Sequence, residues 1–523
     1  MRWEGLDFSS SHFRYIPLHY NKYRNFQLTG QFEAITRSGF EATFLFQERI
    51  VSCFVLAGAL VSLYLTFALA LSHGLKENNY HISQNRVMEP PRSFAQRLRF
   101  LGPGFILSAS IVGSGELIAT TTLGASAGFV AFWVIIVSCL VKVVVQLEMG
   151  KHTILTGETA MKIFNKLPGP YFFGGRWTVW ALFILLLLKV VQLAGMLGSS
   201  AIVLNMLFGN VPVFLWVVIC ALVVAVLIYR GYYKIVEKTS FVMIFMFTLL
   251  TIISVVALAF TPYRISLDEI ASGLTFNLPK EVVGVAIGAF GITGVASDEI
   301  IAYNYWCIEK GYAAYTGPYS DSPQWRARAQ GWIKVMYLDA IVAMVIYTVV
   351  TAAFYLLGAA ILNNRGAIPG GNQLIETVAL IYTESLGPGV RNIYLIGAFF
   401  VLYSSVFASL AAWTRMYSDI FGQLGWIDFN NLRKRTLVIA ILSWVFPAIW
   451  ALTYMFMELP VVMILFGGAV GSVMLFLIVF AALHIRYARP ARLESGGPWY
   501  EVAFWMSTIS IVLVGLYGIW GLF

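Results

Sequence analysis

Apolar residues occupy most of the chain in long runs that are separated by short polar connections. A helix needs about 20 mostly apolar residues to cross the hydrocarbon core of a bilayer. From residue 100 onward the chain holds eleven such runs, at about 102–124, 126–148, 178–207, 211–229, 239–261, 282–307, 334–361, 391–413, 436–456, 459–484 and 500–522. The pattern predicts an all-α polytopic membrane protein with eleven core spans.

A twelfth apolar run, at about 50–72, lies in an N-terminal extension of residues 1–87. The extension begins with an aromatic tail of mixed charge and ends in a polar stretch before Met88. The run starts too far from the N-terminus to be a signal peptide. Two interpretations stay open: the run is an extra span that places the tail outside the cell, or translation begins at Met88. In both, residues 88–523 form the main domain.

Lysine and arginine lie mostly on one side of the predicted spans, and this asymmetry sets their orientation. With the start of the first core span placed in the cytoplasm, 22 basic residues fall inside and four fall outside. The outside residues are Arg264, Lys280, Arg365 and Arg391. The pattern predicts a multi-pass protein of the cell (plasma or inner) membrane, with its C-terminus outside.

The composition excludes several classes of function. Charged residues make up 12% of the chain and its mean hydropathy is +0.77, whereas soluble domains carry about 25% charge. A soluble enzyme, a nucleic-acid-binding protein and a disordered scaffold are therefore excluded. The four cysteines lie far apart in apolar runs, and the histidines lie near the N-terminus or at span edges. Neither a disulfide framework nor a histidine metal site inside the membrane is expected.

Two spans, the first and the sixth, are interrupted by similar motifs. The first contains Gly113-Ser114-Gly115-Glu116 before Leu-Ile-Ala, and the sixth contains Ala296-Ser297-Asp298-Glu299 before Ile-Ile-Ala. Five spans separate the two positions, so two halves of the domain run in opposite directions through the membrane. Paired broken helices of this kind mark the central binding site of a transporter. The pattern predicts two inverted repeats of five helices, at about 100–261 and 282–484, and an extra helix at about 500–522.

Irregular backbone at membrane depth is tolerated where it lines a cavity or is covered by protein. Backbone groups of Gly113, Ser114, Gly115, Ala296 and Ser297 are therefore candidates for contact with a transported solute. A simpler interpretation is that these small residues allow helices to pack closely. An acidic residue beside each break favours the binding interpretation.

Charged residues inside the predicted spans need a functional or structural partner, because each costs about 2.5–3.5 kcal/mol at the bilayer centre. Glu116 and Glu299 adjoin the breaks and are the leading candidates for cation contact. Asp298 neighbours Glu299 but, at about 100° per residue on a helix, need not face the same cavity. Lys189 lies about halfway through the third span and is expected to pair with one of these acids. Its role is either cation coupling or a salt bridge that holds the bundle together. Lys142 lies nearer the cytoplasmic end of its span and is expected to extend its ammonium toward the membrane surface.

Several short motifs occur in a characteristic order. Gly102-Pro103-Gly104-Phe105 opens the first span, Thr156-Gly157 follows the second, residues 204–209 (Leu-Asn-Met-Leu-Phe-Gly) close the third, and Ser404-Ser405 lies in the eighth. In this order the motifs resemble the Nramp (natural resistance-associated macrophage protein) family of divalent-metal transporters, over most of residues 97–484. The resemblance implies the leucine-transporter fold and metal transport.

The chain departs from that family at the motifs that bind metal. The family's Asp-Pro-Gly-Asn in the first span is replaced by Gly113–Glu116. Its Met-Pro-His-Asn in the sixth span is replaced by Ala296–Glu299 or, in a shifted register, by Ile292–Val295. Of the positions that match the family's ligands, Glu116 alone keeps a side chain that can bind a metal. The family's methionine, its third-span acids and its tenth-span glutamine are absent. This set of changes favours a hard, oxygen-loving ion.

The predicted function is secondary active transport of divalent metal cations, Mn²⁺ or Mg²⁺, by alternating access. Glu116, Asp298 and Glu299 are the predicted metal residues, and Lys189 is the coupling candidate. The expected partners are the metal ion as substrate, protons and the lipid bilayer, without nucleic acid or a cofactor. No enzyme activity is expected, because the sequence shows no nucleophile–base constellation and no phosphate-binding glycine loop. Two alternatives stay open: a transporter of an amino acid or another small organic solute, and a receptor that binds without transport.

Overall fold

The computed structural model describes residues 80–113, 115–209, 211–229, 233–370, 373–488 and 497–520. The predicted apolar run at 50–72, with the rest of the extension up to residue 79, lies outside the described residues. Ser114 of the first break also lies outside them.

The first half of the domain is built from the five spans that the hydrophobic pattern predicts. The first span is broken into α1 (Pro103–Ile111) and α2 (Thr121–Ala127), with the π-helical segment Gly115–Thr120 before α2. The others are α3 (Phe132–Thr156), the pair α4 (Trp177–Leu188) and α5 (Val190–Phe208), α6 (Val213–Tyr229) and α7 (Tyr233–Ala257). Helices α4 and α5 meet at Lys189 and together form the third span.

The second half repeats this plan, and its first span, the sixth of the chain, is again broken. Its helices are α8 (Val283–Ile292), α9 (Ser297–Lys310), α10 (Pro323–Leu357), α11 (Leu374–Leu386), α12 (Arg391–Gln423), α13 (Leu432–Met457), α14 (Pro460–Leu483) and α15 (Pro498–Trp520). A π-helical segment, Gly358–Asn363, extends α10. Helix α11 connects the seventh span (α10) to the eighth (α12), and the later spans follow in order.

Short elements fill the connections between spans. They include the helices Ala160–Phe164, Leu267–Ser272 and Tyr312–Thr316 and an antiparallel pair of strands, β1 (Tyr171–Phe172) and β2 (Gly175–Arg176). A further short helix, Phe94–Leu98, precedes the first span. The loop predicted between the sixth and seventh spans is shorter than expected, because α10 begins at Pro323 rather than near residue 334. The side chain of Ser322 caps this helix by accepting a hydrogen bond from the Trp325 amide at 3.2 Å.

The fold class is confirmed. Among the described residues, eight helices are long and apolar enough to cross a membrane. Two shorter apolar helices, Val213–Tyr229 and Phe245–Phe260, account for the fourth and fifth predicted spans. The first span is interrupted, and neither of its halves is long enough to cross alone.

Glycines allow the broken spans to approach their neighbours closely. A Cβ atom on Gly291 of α8 would lie 1.7 Å from the carbonyl oxygen of Gly468 in α14. A Cβ on Gly115 would lie 3.2 Å from the carbonyl oxygen of Ile292, at the end of α8. The breaks in the first and sixth spans are therefore neighbours in space, which places their polar backbone at one location inside the bundle.

Candidate functional site

The first break begins where α1 ends. Val112 leaves the helical region with a ψ of 55°, and Glu116 lies in the π-helical segment that follows. Segments of this kind are rare and are frequent at functional sites. A Cβ atom on Gly113 would lie 1.6 Å from the Ser405 hydroxyl of α12. Close packing against the eighth span is therefore a sufficient reason for glycine at position 113.

The second break covers Thr293–Ala296, between α8 and α9. Gly294 has a φ of +59°, in the left-handed region that glycine adopts most readily. Asp298 and Glu299 follow in the first turn of α9, and a Glu299 carboxylate oxygen accepts a hydrogen bond from the Ala296 amide at 2.8 Å. The unwound residues thus overlap both registers considered from the sequence, and the two acids lie just beyond them, at a helix N-terminus that favours negative charge.

Two small adjoining cavities lie beside this helix N-terminus. Each has a volume of about 10 Å³, which is close to the space that one water molecule needs. Both are lined by residues of the first, sixth and eighth spans, namely Ser110, Asp298, Glu299 and Ser409. The broken helices therefore border two spaces of about the size of a single ion, and the residues that the two spaces share are polar.

The two cavities differ in the rest of their lining. The first extends along α1 and α9 to Ile106, Ala302 and Trp306. We call it the cytoplasmic-side cavity, because in the predicted orientation these residues lie on the cytoplasmic side of Glu299. The second extends to the breaks and to the third span, where Gln192 and Met196 line it, and we call it the central cavity. Asp298 and Glu299 thus line both spaces.

Asp298 is paired with Lys189 inside the bundle. The Lys189 ammonium donates to one carboxylate oxygen of Asp298, and the Trp413 indole N–H donates to the other at 3.2 Å. The lysine is fully buried, and Asp298 is 7% exposed. The expectation that Lys189 would pair with an acid of the breaks therefore agrees with this contact.

Glu299 is the more accessible of the two acids. It is half-buried rather than buried, and the Ser110 hydroxyl of α1 interacts with its carboxylate. Its neighbour Asp298 already has a lysine partner. Glu299 is therefore the carboxylate that is better placed to offer negative charge to a solute in the cavities.

Glu116 lies apart from both cavities. It is fully buried; one carboxylate oxygen accepts a hydrogen bond from the Thr351 hydroxyl at 2.9 Å, and the other has no partner among the described residues. In the described part of the chain, no three His, Cys, Asp or Glu side chains lie together in a cluster that could hold a metal ion. The three predicted metal residues thus do not converge into one ligand set in this conformation.

The remaining predicted residues have different surroundings. Gly115 and Ala296 line the central cavity. The Ser297 hydroxyl is buried without a partner among the described residues, and it lies close to Gly471 of α14. Gly113 does not line either cavity.

Lys142 behaves differently from the expectation that it would extend toward the membrane surface. It is fully buried, and its ammonium donates to the carbonyl oxygens of Phe290, at 2.7 Å, and Thr293. The Ser138 hydroxyl donates to the same two carbonyls, at 3.0 Å each. These groups satisfy the backbone that the sixth break exposes, so the carbonyls of Phe290 and Thr293 are already engaged.

The sequence analysis missed four residues that line the cavities: Ser110, Gln192, Met196 and Ser409. Two of them carried a usable signal: Lys189, Gln192 and Met196 are spaced by three and four residues, which places them on one face of a helix. Because Lys189 was expected to reach the breaks, other side chains on the same face of the third span could be expected to lie near them as well.

Comparisons with known proteins bear on the family and the fold of the chain. Residues 104–521 match the family model described as "Natural resistance-associated macrophage protein-like". The divalent metal cation transporter MntH of Clostridium acetobutylicum is 32% identical over 101 residues, a match that covers 18% of this chain and 23% of that protein. MntH of Listeria innocua is 21% identical over 440 residues, which cover 81% of this chain and 90% of that protein.

A similar fold is found among solved structures. The manganese transporter of Eremococcus coleocola, solved in complex with an aromatic bis-isothiourea substituted compound, superposes with a TM-score of 0.59 at 16% identity. The match covers 84% of this chain and 91% of that structure. At this identity the likeness bears on the fold alone.

Proposed function

The chain belongs to the Nramp family of natural resistance-associated macrophage protein-like membrane proteins, and we propose that it transports divalent metal cations, Mn²⁺ or Mg²⁺. Its relatives in Clostridium acetobutylicum and Listeria innocua are named divalent metal cation transporters. Transport is secondary and proceeds by alternating access, as the paired broken helices suggest.

The observation that carries the proposal is the position of Glu299. Its carboxylate is half-buried at the N-terminus of α9 and lines both ion-sized cavities. A carboxylate at membrane depth is costly unless a cation compensates it. Carboxylate and hydroxyl oxygens suit Mg²⁺ and Mn²⁺, and Glu299, Ser110 and Ser409 provide this chemistry.

The other two acids have different roles in this proposal. Asp298 adds a second carboxylate whose charge Lys189 balances. Glu116 lies behind the cavities in this conformation, where its carboxyl group accepts a hydrogen bond from Thr351. We propose that Glu116 approaches the ion more closely when the broken helices move during the transport cycle.

Lys189 remains the coupling candidate. A buried ammonium next to the ion site can occupy the position that a co-transported cation would otherwise fill, and a lysine can also release a proton. We propose that movement of the divalent cation is linked to the Lys189–Asp298 pair, with protons as the coupled ion.

The test is uptake of Mn²⁺ and Mg²⁺ by the purified full chain in proteoliposomes, with ion-sensitive dyes and a pH dye recorded in parallel. We expect saturable uptake in the wild type, none in Glu299→Gln, and reduced uptake in Glu116→Gln. The matched control is Asp268→Asn, which removes an exposed carboxylate in the short helix Leu267–Ser272 and should transport normally. Normal uptake in Glu299→Gln would refute the assignment of this carboxylate.

The organic-solute alternative receives no support from the cavities. A volume of about 10 Å³ in each is far below the several hundred Å³ of typical small-molecule pockets. Absence of flux for both metals, combined with saturable amino-acid binding, would reverse this preference.

A further inference from the structure

The third span presents a face of three side chains to the proposed ion site. Lys189, Gln192 and Met196 follow one another at helical spacing, so they lie on the same side of the helix. Lys189 reaches Asp298, while Gln192 and Met196 line the central cavity together with Glu299. This face completes the wall of the cavity on the side that the broken helices leave open.

Gln192 has an unused hydrogen-bonding group in this wall. Its side chain is 2% exposed, and its carbonyl oxygen Oε1 is buried with no hydrogen-bond partner among the described residues. A buried polar atom without a partner is unfavourable, so such a group needs an explanation. Since a half-turn of the amide exchanges its oxygen and nitrogen, the carboxamide can turn its oxygen toward the cavity.

The tenth span packs closely against Gln192. A Cβ atom on Gly467 of α14 would lie 2.2 Å from Cβ and 2.6 Å from Oε1 of Gln192. Any larger residue at position 467 would displace the glutamine. Because the shortest of these contacts is with Cβ, the glycine allows the third and tenth spans to pack closely beside the carboxamide.

Resting on the proposed metal transport, we propose that Gln192 supplies a neutral oxygen ligand to the divalent cation at Glu299, and that Met196 makes the site prefer Mn²⁺ over Mg²⁺. Amide oxygens bind both ions. A thioether is a soft ligand that adds affinity for transition metals and none for Mg²⁺. Mg²⁺ also retains several of its water molecules when it binds, whereas the central cavity, at about 10 Å³, has space for about one.

The experiment compares three leucine variants of the purified full chain in proteoliposomes, with Mn²⁺ and Mg²⁺ as the probe ions. Gln192→Leu removes the proposed oxygen ligand and Met196→Leu removes the thioether at similar volume. Gln146→Leu is the matched control: Gln146 is 1% exposed and its amide nitrogen also lacks a partner among the described residues, but it lines neither cavity. Binding is measured in parallel from the Mn²⁺-dependent rise in melting temperature in detergent.

We expect Gln192→Leu to raise the KM for Mn²⁺ by about tenfold, equivalent to the loss of one modest ligand, with the maximal rate retained. We expect Met196→Leu to reduce the Mn²⁺/Mg²⁺ ratio of kcat/KM by about tenfold. Gln146→Leu should change neither quantity. If Gln192→Leu does not fold, Gln192→Glu serves instead, and its added carboxylate should lower the KM for Mn²⁺.

The outcomes separate this inference from the function on which it rests. An unchanged KM in the Gln192 variants, or an unchanged ion ratio in Met196→Leu, overturns the third-span ligands while wild-type uptake supports metal transport. A wild-type protein that shows neither uptake nor stabilisation by Mn²⁺ overturns both proposals.

Discussion

Replacing Lys189 by methionine leaves the Asp298 carboxylate without its counter-charge deep in the bundle. The lysine is fully buried and Asp298 is 7% exposed, so the two small cavities beside Asp298 admit little water in place of the lost ammonium. The Trp413 indole N–H, 3.2 Å from the second carboxylate oxygen, remains in the variant and compensates only part of the charge. The single substitution therefore creates a buried, partly solvated anion.

The expected loss of stability follows from the known energetics of buried ion pairs. Removing one partner of a buried ion pair costs about 3–5 kcal/mol, whereas replacing both partners by neutral residues of similar size is often close to neutral. We expect Lys189→Met to lower the free energy of unfolding by about 3–5 kcal/mol. The double variant Lys189→Met/Asp298→Asn should recover most of this loss, because the asparagine is neutral and can still accept from Trp413.

The assay is equilibrium unfolding of the detergent-solubilised protein by sodium dodecyl sulfate, followed by circular dichroism. It is applied to Lys189→Met, to Asp298→Asn and to the double variant. Lys166→Met is the control, since its ion pair with Glu158 involves a side chain that is 41% exposed and such pairs contribute about 0–1 kcal/mol. A double variant as unstable as Lys189→Met, or a Lys189→Met protein as stable as the control, would refute the reasoning.

Three further predictions concern the breaks and the connection between the second and third spans. Gly113→Ala places a Cβ 1.6 Å from the Ser405 hydroxyl and should lower the free energy of unfolding by about 1–3 kcal/mol. Ser405→Gly should relieve this cost. An equal loss of stability from Gly113→Ala in the wild type and in Ser405→Gly would contradict the packing explanation. Lys142→Met strips a donor from the carbonyls at the end of α8, so amide hydrogen exchange at residues 290–296 should accelerate, and unchanged exchange would count against this role. Burial opposes ionisation of Glu158, but hydrogen bonds from His152 and a lysine hold the pKa of this carboxyl well below its usual range. This lowered pKa stabilises the fold above about pH 4, and the stabilisation is lost as the pH falls further. On acidification the melting temperature of Glu158→Gln should therefore fall less than that of the wild type. Parallel curves of melting temperature against pH for the two proteins would exclude the effect.

The spans could be predicted from the sequence because the membrane imposes their length. A run of about 20 apolar residues has few alternatives in a bilayer, so the predicted segments correspond to helices along the described chain. The breaks were also visible, since small residues next to an acid are unusual inside a span. Helix ends were less predictable, as α10 shows: its first turns are polar and capped by Ser322, so hydropathy does not detect them.

Partners that are distant in the chain could not be predicted, because they depend on how helices pack. Lys189 was expected to meet an acid, but three candidates were equivalent until the fold brought it to Asp298. Asp339 shows the same limit. It accepts hydrogen bonds from the Gly102 amide, at 2.8 Å, and the Gly104 amide, at 2.5 Å. It thus caps α1, a helix more than two hundred residues away in sequence.

The two neighbouring acids of the sixth break are made unequal by the fold, and this inequality bears on what a transporter requires. Lys189 balances the charge of Asp298, so a cation in the cavities meets the net negative charge of Glu299 rather than that of two free carboxylates. A site with two uncompensated carboxylates would bind a divalent ion tightly and release it slowly. Permeation needs binding that is strong enough for entry and weak enough for release. A single carboxylate without a paired lysine, together with neutral oxygens such as those of Ser110 and Gln192, meets this requirement. We infer that the buried lysine sets the affinity of the site as well as stabilising the bundle.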